Sequence, residues 1–245
     1  MYHFFVDQAN VEAEVIRITG PDVNHIKNVL RMGPGERVII SNGLDKDYLC
    51  ELESVSAREV TAKILSEEEG KELPARLWLF QGLPKGDKME FIIQKAVELG
   101  VYRIIPVETK RCVVKLDKKK EEAKLRRWLG VSESAAKQSG RLVIPEVGPV
   151  MGFKEALALV KDFDLAIIPF EHADDMAKTR EILGSAKTGT NIGIFIGPEG
   201  GFEDSEVELA ESLGVEPVTL GKRILRTETA GMAVLSVLAF RLEGL

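Results

Sequence analysis

The part of the chain that follows residue 74 alternates short apolar runs with helical patterns, and this rhythm constrains the fold more than any other feature. A helix is predicted to begin at Asp87, with Glu90 in the capping-box position, and to end at Gly100. Continuous apolar runs are typical of parallel strands that are buried on both faces of a sheet. The sequence therefore predicts an α/β domain with strands at 77–80, 101–107, 164–168, 191–197 and 217–220.

The first 65 residues follow a different pattern, with short β-branched runs at 14–18, 37–40, 48–52 and 60–65. Asn42-Gly43 predicts a turn between two of these strands, and one helix is predicted from residue 22 to residue 31. The segment 66–74 is acidic and ends in proline, which is typical of a linker. We therefore predict a small β-barrel domain over residues 1–70 and the α/β domain over residues 75–245.

Composition limits the partners of this chain. It has neither a long apolar run nor a basic leader before an apolar segment, so we expect a cytoplasmic protein without a membrane partner. Cys50 and Cys112 stand far apart without a histidine at metal-ligand spacing, so we predict neither a disulfide framework nor a metal site. The net charge of −6 opposes nucleic-acid binding, but residues 81–130 hold 13 basic and 7 acidic side chains. That block is suited to following a phosphate backbone or, at 118–127, to forming a solvated helix surface.

Ligands of open α/β sheets bind beyond the carboxyl ends of the strands, so the loops at those ends are the candidate site. The predicted strand 191–197 runs into Gly197-Pro198-Glu199-Gly200-Gly201-Phe202 and then into a predicted helix over 205–213. Glycines let a backbone approach a ligand closely, and a helix N-terminus offers free N–H groups. A tight turn needs only one or two glycines. The third glycine, the proline and the carboxylate therefore favour a ligand-binding loop.

The last predicted strand leads into a second candidate loop, 221–230, which opens a helix that ends at Leu242. Thr227 is predicted to cap this helix, and Glu228 to be a first-turn acid favoured by the helix dipole. Arg226 does not fit that dipole, because a guanidinium at a helix N-terminus faces the positive end. We therefore predict an anionic partner for Arg226, either Glu199 or a substrate. A third loop, 169–173, carries His172, which we interpret as a solvent-facing side chain.

Several common catalytic motifs are absent from the sequence. No G-x-G-x-x-G follows a strand, and neither a P-loop nor G-x-S-x-G occurs. Dinucleotide chemistry, phosphoryl transfer by a Walker loop and nucleophile-elbow hydrolysis are therefore disfavoured.

The candidate loops and several blocks before them resemble the ribosomal RNA small subunit methyltransferase E family of the SPOUT superfamily. The C-terminal signature of that family is similar to 194–202 and 220–230 of this chain. Its N-terminal helix resembles 25–32, and its middle blocks are similar to 94–101, 108–112 and 135–141. The similar blocks occur in the family's order, from near residue 22 to residue 230.

The resemblance implies a fold, a methyl donor and a substrate. The expected fold is a PUA-like β-barrel followed by a SPOUT-type parallel sheet with a C-terminal trefoil knot, and the expected assembly is a homodimer. S-adenosyl-L-methionine is the expected donor, and the expected target is N3 of a uridine in 16S rRNA, free or in the small ribosomal subunit. By resemblance, the donor contacts come from the three loops: Phe170, Glu171, Gly197, Pro198, Glu199, Gly200, Gly201, Leu220, Gly221, Ile224, Leu225, Thr229 and Ala230.

The family's reaction also implies roles for charged residues. Loss of the N3 proton leaves negative charge on the uracil, and Arg226 is the expected catalytic cation that stabilises or orients this base. Glu199 is expected to fix Arg226 or the glycine loop rather than to act as general base. Two alternatives stay open: a non-catalytic RNA-binding protein with structural glycine loops, and a SPOUT enzyme with another target. The expected RNA contacts are Lys27, Arg31, Lys85, Lys88, Arg111 and Arg141.

Overall fold

The computed structural model describes residues 1–68, 70–173 and 175–244, and the chain divides into two compact units. The first unit consists of Met1–Glu72 with Ala136–Ile144, and the second of Leu73–Ala135 with Pro145–Leu245. A short segment of the first unit therefore interrupts the second one along the chain. The domain limits 1–70 and 75–245 stay a prediction.

The first unit is built on a single five-stranded sheet. Its strands are β1 (Tyr2–Phe5), β2 (Val15–Ile18), β3 (Arg37–Ser41), β4 (Asp47–Val55) and β5 (Val60–Glu68). Their order is β1-β3-β4-β5-β2, with β1 parallel to β3 and the other neighbours antiparallel. One face of every strand contributes to a single core, which Val23, Ile26 and Met32 complete. The prediction of a small β domain with one helix is confirmed.

The helix of the first unit is shorter than the sequence predicted. Helix α1 (Pro21–Asn24) continues into a π-helical turn at His25–Val29. Arg31 lies beyond this turn with a φ of 55°, a conformation that is rare for residues with a side chain. The prediction of a helix reaching residue 31 was therefore wrong at its end. The linker prediction was wrong at its start, because β5 extends to Glu68.

Residues 136–144 join the first unit through two acidic residues, because Lys137 pairs with Asp22 at 2.9 Å and Arg141 pairs with Glu72. The guanidinium of Arg141 is buried, and its Nε donates to Oε1 of Glu72 at 2.8 Å. The same oxygen accepts from the backbone N–H of Leu142 at 2.9 Å, and the carbonyl of Leu142 accepts from Ser41. An ion pair with these additional hydrogen bonds has a structural role, because removal of Glu72 would leave the buried guanidinium of Arg141 without its partner.

The second unit holds a seven-stranded sheet in which every pairing is parallel. Its strands are β6 (Arg76–Gly82), β7 (Arg103–Glu108), β8 (Glu146–Val147), β9 (Met151–Gly152), β10 (Leu165–Pro169), β11 (Asn191–Ile196) and β12 (Glu216–Val218). Their order is β12-β10-β11-β6-β7-β8, and β9 also pairs with β7. The predicted α/β fold with a parallel sheet is confirmed.

Six helices accompany this sheet in the part of the chain that the structure describes. They are α2 (Lys88–Glu98), α3 (Lys118–Ser139), α4 (Phe153–Leu159), α5 (Met176–Gly184), α6 (Asp204–Ser212) and α7 (Thr227–Leu242). The rings of Phe80 and Phe195, on the central neighbours β6 and β11, stack at 4.5 Å in the core. Because the strands are parallel, the loops after β6, β10, β11 and β12 all begin at one edge of the sheet.

The helix N-termini differ from the predictions in two places. Arg226, not Thr227, is the N-cap residue of α7, and Thr227 is the first residue of the helix. The side chain of Asp87 makes no capping bond to α2, and Glu90 pairs with Arg127 instead. Within the described ranges, no helix is long and apolar enough to span a membrane.

Candidate methyl-donor site

A cavity of about 860 Å³ lies at the carboxyl edge of the parallel sheet, within the second unit. Three loops line it: 169–173 after β10, 197–202 after β11 and 219–226 after β12. The ends of three helices close it, through Lys88 of α2, Met176 of α5 and Thr227 and Ala230 of α7. The cavity is large enough for a ligand of nucleoside size, and four glycines contribute to its lining: Gly197, Gly200, Gly201 and Gly221.

The glycine loop has a shape that side chains would not allow. A Cβ atom on Gly197 would lie 3.0 Å from the backbone of Gly201, and Gly201 itself has a φ of 67°. The N–H of Gly201 donates to the carbonyl of Pro198 at 2.9 Å and closes a tight turn. Gly82, at the end of β6, is also required, because a Cβ atom there would lie 2.7 Å from the backbone nitrogen of Pro198. The two strand ends therefore hold the loop by close backbone packing.

The loop that precedes α7 presents three cations at the cavity. Lys222, Arg223 and Arg226 are all exposed, and the structure gives them no ion pair with any described residue. Between them, the side chain of Ile224 is 88% exposed. Gly221 has a φ of 97°, which a residue with a side chain would rarely adopt. This segment of the lining is therefore suited to an anionic partner.

Glu199 binds the loop that precedes α2, not Arg226. Its Oε1 lies 2.7 Å from Nζ of Lys88 and accepts from the backbone N–H of Lys85 at 3.1 Å. Desolvation raises the pKa of Glu199, but the hydrogen bonds from Lys88 and the backbone outweigh it and hold this pKa below its ordinary value. The predicted pairing of Glu199 with Arg226 is not seen. A substrate is then the remaining anionic partner predicted for Arg226.

A second carboxylate supports the glycine loop from behind. Glu206 of α6 is 4% exposed, and its two oxygens accept from the backbone N–H groups of Lys110 and Glu203, each at 2.9 Å. The adjacent Arg111 donates to the carbonyl of Gly200 at 2.9 Å. The segment after β7 is therefore fastened to the glycine loop at Gly200 and, through Glu206, to Glu203, the N-cap residue of α6.

A hydrogen-bonded chain runs beneath the two loops. The hydroxyl of Thr227 donates to the carbonyl of Gly197 at 2.6 Å and accepts from Nε2 of Gln81 at 2.8 Å. Gln81 is fully buried at the end of β6. Neither Gln81 nor Glu206 was predicted from the sequence as a site residue. For Gln81 the sequence does contain a signal, because a polar glutamine follows the apolar residues Leu79-Phe80 at the end of a predicted strand.

The structure brings together nearly all residues that were expected to contact the methyl donor. Thr229 is exposed and does not contribute to the lining. The cavity also includes residues that were not expected, among them Met176, Phe202 and Thr219. The expected residues that line it are Phe170, Glu171, Gly197, Pro198, Glu199, Gly200, Gly201, Leu220, Gly221, Ile224, Leu225 and Ala230, together with Arg226.

The residues expected to contact RNA fall into two groups. Lys27 and Arg31 are exposed on the first unit, and Lys85 is exposed beside the cavity, where Lys88 contributes to the lining. The other two residues, Arg111 and Arg141, hold Gly200 and Glu72 respectively. His172 is exposed, in agreement with its interpretation as a solvent-facing side chain.

Comparison with known proteins identifies the class to which this fold and cavity belong. A family model described as RNA methyltransferase domain matches residues 71–239, and one described as RNA methyltransferase PUA domain matches residues 18–65. The parallel sheet with its cavity is therefore the domain of an RNA methyltransferase. The chain is 39% identical to ribosomal RNA small subunit methyltransferase E of Bacillus subtilis, over 99% of this chain and 98% of that protein. It belongs to the ribosomal RNA small subunit methyltransferase E family, as the sequence motifs predicted.

Two solved structures resemble the whole chain. Ribosomal RNA small subunit methyltransferase E from Neisseria gonorrhoeae, bound to S-adenosyl methionine, has a TM-score of 0.84 and 34% identity, over 96% of this chain and 95% of that one. A putative methyltransferase from Legionella pneumophila, in complex with the bound cofactor SAM, has a TM-score of 0.83 and 32% identity, over 97% and 96% of the two chains.

Proposed function

We propose that this chain transfers a methyl group from S-adenosylmethionine to N3 of a uridine in 16S rRNA. The observation that carries the proposal is the cavity whose lining combines a glycine-rich loop with three exposed cations that have no ion pair to a described residue. Family membership supports methyl transfer to ribosomal RNA, and two relatives of at least 32% identity are described with the donor bound. The choice of uridine N3 rests on the family resemblance of the loops.

The residues of the cavity fit this donor. The backbone of Gly197–Gly201 and of 220–225 offers N–H and carbonyl groups, while Phe170, Met176 and Phe202 offer apolar surface to an adenine ring. S-adenosylmethionine supplies an electrophilic methyl group on a sulfonium. The role of the protein is to hold the donor and the uracil in line and to keep water from the reacting atoms.

Charge at the uracil determines the role of Arg226. Methylation replaces the N3–H bond by an N3–methyl bond: the proton leaves to solvent, and the methyl group would leave the sulfonium sulfur of the donor. Loss of the proton places negative charge on the imide. Arg226 is an exposed cation that lines the cavity and has no ion pair with a described residue, and we assign it the stabilisation of that charge. Glu199 is a weak base because its pKa lies below the ordinary value. We assign Glu199 to holding the 85–88 segment against the glycine loop.

The RNA substrate needs cationic contacts, which we assign to Lys27 and Arg31 of the first unit and, separately, to Lys85 and Lys88 of the second. These side chains lie exposed or partly exposed on the two units. Arg141 is left out of these contacts, because its guanidinium is buried against Glu72. The exposed Arg111 uses one N–H on the carbonyl of Gly200 and stays a proposed contact. Phosphate contacts of this kind provide affinity that falls with salt, whereas the target base is chosen by the fold of the RNA.

We also propose that the chain acts as a homodimer in the cytoplasm, where ribosomal subunits are found. Helix α7 is apolar on more than one side, with Val237 49% and Phe240 61% exposed. An apolar helix of this kind is normally buried, and a second copy of the chain would cover it. The knotted C-terminal topology implied by the resemblance stays a prediction.

One experiment tests the donor, the substrate and the target atom together. Small ribosomal subunits from a strain that lacks this gene are incubated with the purified protein and labelled S-adenosylmethionine, and the rRNA is digested for mass spectrometry. We expect a single 3-methyluridine in 16S rRNA. If the protein binds the donor but methylates neither free rRNA nor small subunits, the proposed rRNA substrate is wrong. A protein that binds RNA but not the donor in calorimetry would instead be a non-catalytic RNA-binding protein.

A further inference from the structure

We infer that Gln81 and Thr227 are positioning residues for methyl transfer, which act by fixing the donor loop relative to Arg226. The inference rests on the proposed function and assigns to neither side chain a contact with the reacting atoms, although Thr227 belongs to the cavity lining. It starts from the buried hydrogen-bonded chain that links the end of β6, the start of α7 and the first residue of the glycine loop.

The direction of every hydrogen bond in this chain is determined. The carbonyl of Gly197 can only accept, so the hydroxyl of Thr227 donates to it, at 2.6 Å. The hydroxyl oxygen then accepts from Gln81 at 2.8 Å, and the atom that donates must be the amide nitrogen Nε2. The second N–H of the same amide donates to the carbonyl of Gly82 at 3.0 Å. Reversal of the amide would place its oxygen against the Gly82 carbonyl.

The arrangement leaves one polar atom unsatisfied. Oε1 of Gln81 is buried and has no hydrogen-bond partner among the residues that the structure describes. An unpaired acceptor in the core costs free energy, which offsets part of what the two hydrogen bonds donated by Nε2 contribute. Polar groups that are kept against local stability are expected at functional positions.

The hydrogen bonds of Gln81 and Thr227 connect two parts of the site that must be aligned, the donor loop and the start of α7. Gly197 opens the loop that we assign to the donor, and Thr227 directly follows Arg226, which we assign to the uracil. Pro198 packs on Gly82 without room for a side chain, so the loop also rests on the residue that follows Gln81. Loss of the hydroxyl would release the carbonyl of Gly197 from α7. A misplacement of about 1 Å at reacting groups lowers a rate by about 100-fold.

The test compares Thr227→Val, which replaces the hydroxyl by a methyl group of similar size, with Thr227→Ser, which keeps it. Methylation of unmodified small subunits is measured at saturating donor and RNA, donor affinity by calorimetry, and folding by thermal unfolding. For Thr227→Val we expect turnover to fall by about 10- to 100-fold while the Kd of the donor rises by less than about 3-fold. Thr227→Ser should recover most of the turnover.

Gln81→Met provides a second, independent variant. It removes the amide N–H groups that donate to Thr227 and Gly82, and the methionine side chain still fills the space in the core. The double variant Gln81→Met/Thr227→Val should lose no more turnover than the slower single variant, since both changes break one chain. Turnover of Thr227→Val within about 2-fold of the parent overturns the inference, as does a serine variant that folds equally well but is as slow as the valine variant. A parent protein that methylates no subunit contradicts the proposed function, whereas an active parent with unaffected variants contradicts the positioning chain alone.

Discussion

The ammonium group of Lys88 lies 2.7 Å from Oε1 of Glu199 and 3.9 Å from Oε2 of Glu228, so one cation stands between two carboxylates at the cavity. Glu199 belongs to the glycine loop and Glu228 to the first turn of α7, while Lys88 begins α2. Three elements that are distant in sequence are therefore joined by charge. This link, unlike the close backbone packing of the glycines, responds to pH and to salt.

Removal of the link by Lys88→Met should lower stability in a pH-dependent way. The pKa of Glu199 lies below its ordinary value of 4.5 in the folded protein, so the ionised carboxylate stabilises the fold above that pH. This contribution is lost as the pH falls through the folded pKa. We expect the free energy of unfolding of the parent to exceed that of the variant by about 1 kcal/mol or less at neutral pH. In acid this difference should vanish. Thermal unfolding across the pH range measures it.

A matched control for this experiment is Lys95→Met on the same helix. Lys95 pairs with Glu98, but neither residue lines the cavity. The control should leave donor affinity unchanged, whereas Lys88→Met should weaken donor binding because Lys88 holds Glu199 of the glycine loop. Equal effects of the two variants on donor affinity would contradict the assigned link.

Arg226→Ala should remove turnover and leave the fold intact. Its side chain is exposed and makes no ion pair with a described residue, so stability and donor Kd should change little. Loss of a charge that stabilises the uracil should lower the rate by about 100-fold or more, as for other groups of this kind. Single-turnover methylation of subunits measures the rate. Arg226→Lys should recover part of it, because the charge is kept while the planar fork is lost.

Lys222→Ala is the comparison for Arg226→Ala, since Lys222 is another exposed cation on the same loop. It should weaken RNA binding and make that binding less sensitive to salt, with little change in the rate at saturation. If Arg226→Ala behaves in the same way as Lys222→Ala, Arg226 contributes only general electrostatic attraction.

Glu206→Gln should loosen the glycine loop. The carboxylate accepts from two backbone N–H groups, and an amide offers only one acceptor oxygen, so one donor becomes unpaired in a buried place. We expect a loss of about 1–3 kcal/mol in the free energy of unfolding. Hydrogen exchange should become faster at the amides of Lys110 or Glu203. The exposed Glu208 on the same helix is the control, and Glu208→Gln should leave these rates unchanged.

Arg141→Met should destabilise the first unit instead of weakening RNA binding. The variant leaves the partly buried carboxylate of Glu72 without its guanidinium partner, and breaking a pair of this kind costs about 3–5 kcal/mol. Lys27→Met, at an exposed residue of the same unit, should have the opposite effect, with weaker RNA binding and an unchanged Tm. Denaturant unfolding and RNA titration of both variants separate the two roles. A stable Arg141→Met protein with poor RNA affinity would support an RNA contact for Arg141.

The sequence was informative where the signal is local. The run 191–197 followed by three glycines predicted both β11 and the loop that lines the cavity, because strand and turn preferences depend on neighbouring residues. The family motifs 194–202 and 220–230 gave the class of protein. The alternating pattern after residue 74 predicted the parallel sheet, although it did not reveal the two-residue strands β8 and β9.

Contacts between distant residues could not be predicted in this way. The partner of Glu199 is Lys88, 111 positions earlier, and no local rule prefers it over Arg226. Arg141 was expected on the surface because arginines are mostly exposed, but Glu72, 69 positions earlier, makes its burial possible. The position at which the first helix ends was also predicted wrongly, because no residue type near Arg31 indicates its positive φ.

The pair formed by Glu72 and Arg141 determines when the first unit can finish folding during synthesis. The ribosome synthesises residues 73–135 before residues 136–144, yet the latter belong to the first unit. The N-terminal unit therefore cannot be completed when its own strands have emerged, and it waits until residues 73–135, more than a third of the second unit, have been translated. A nascent chain arrested before residue 136 would expose Glu72 without its cation, and a gene fragment cut at the apparent linker would encode an unfinished unit.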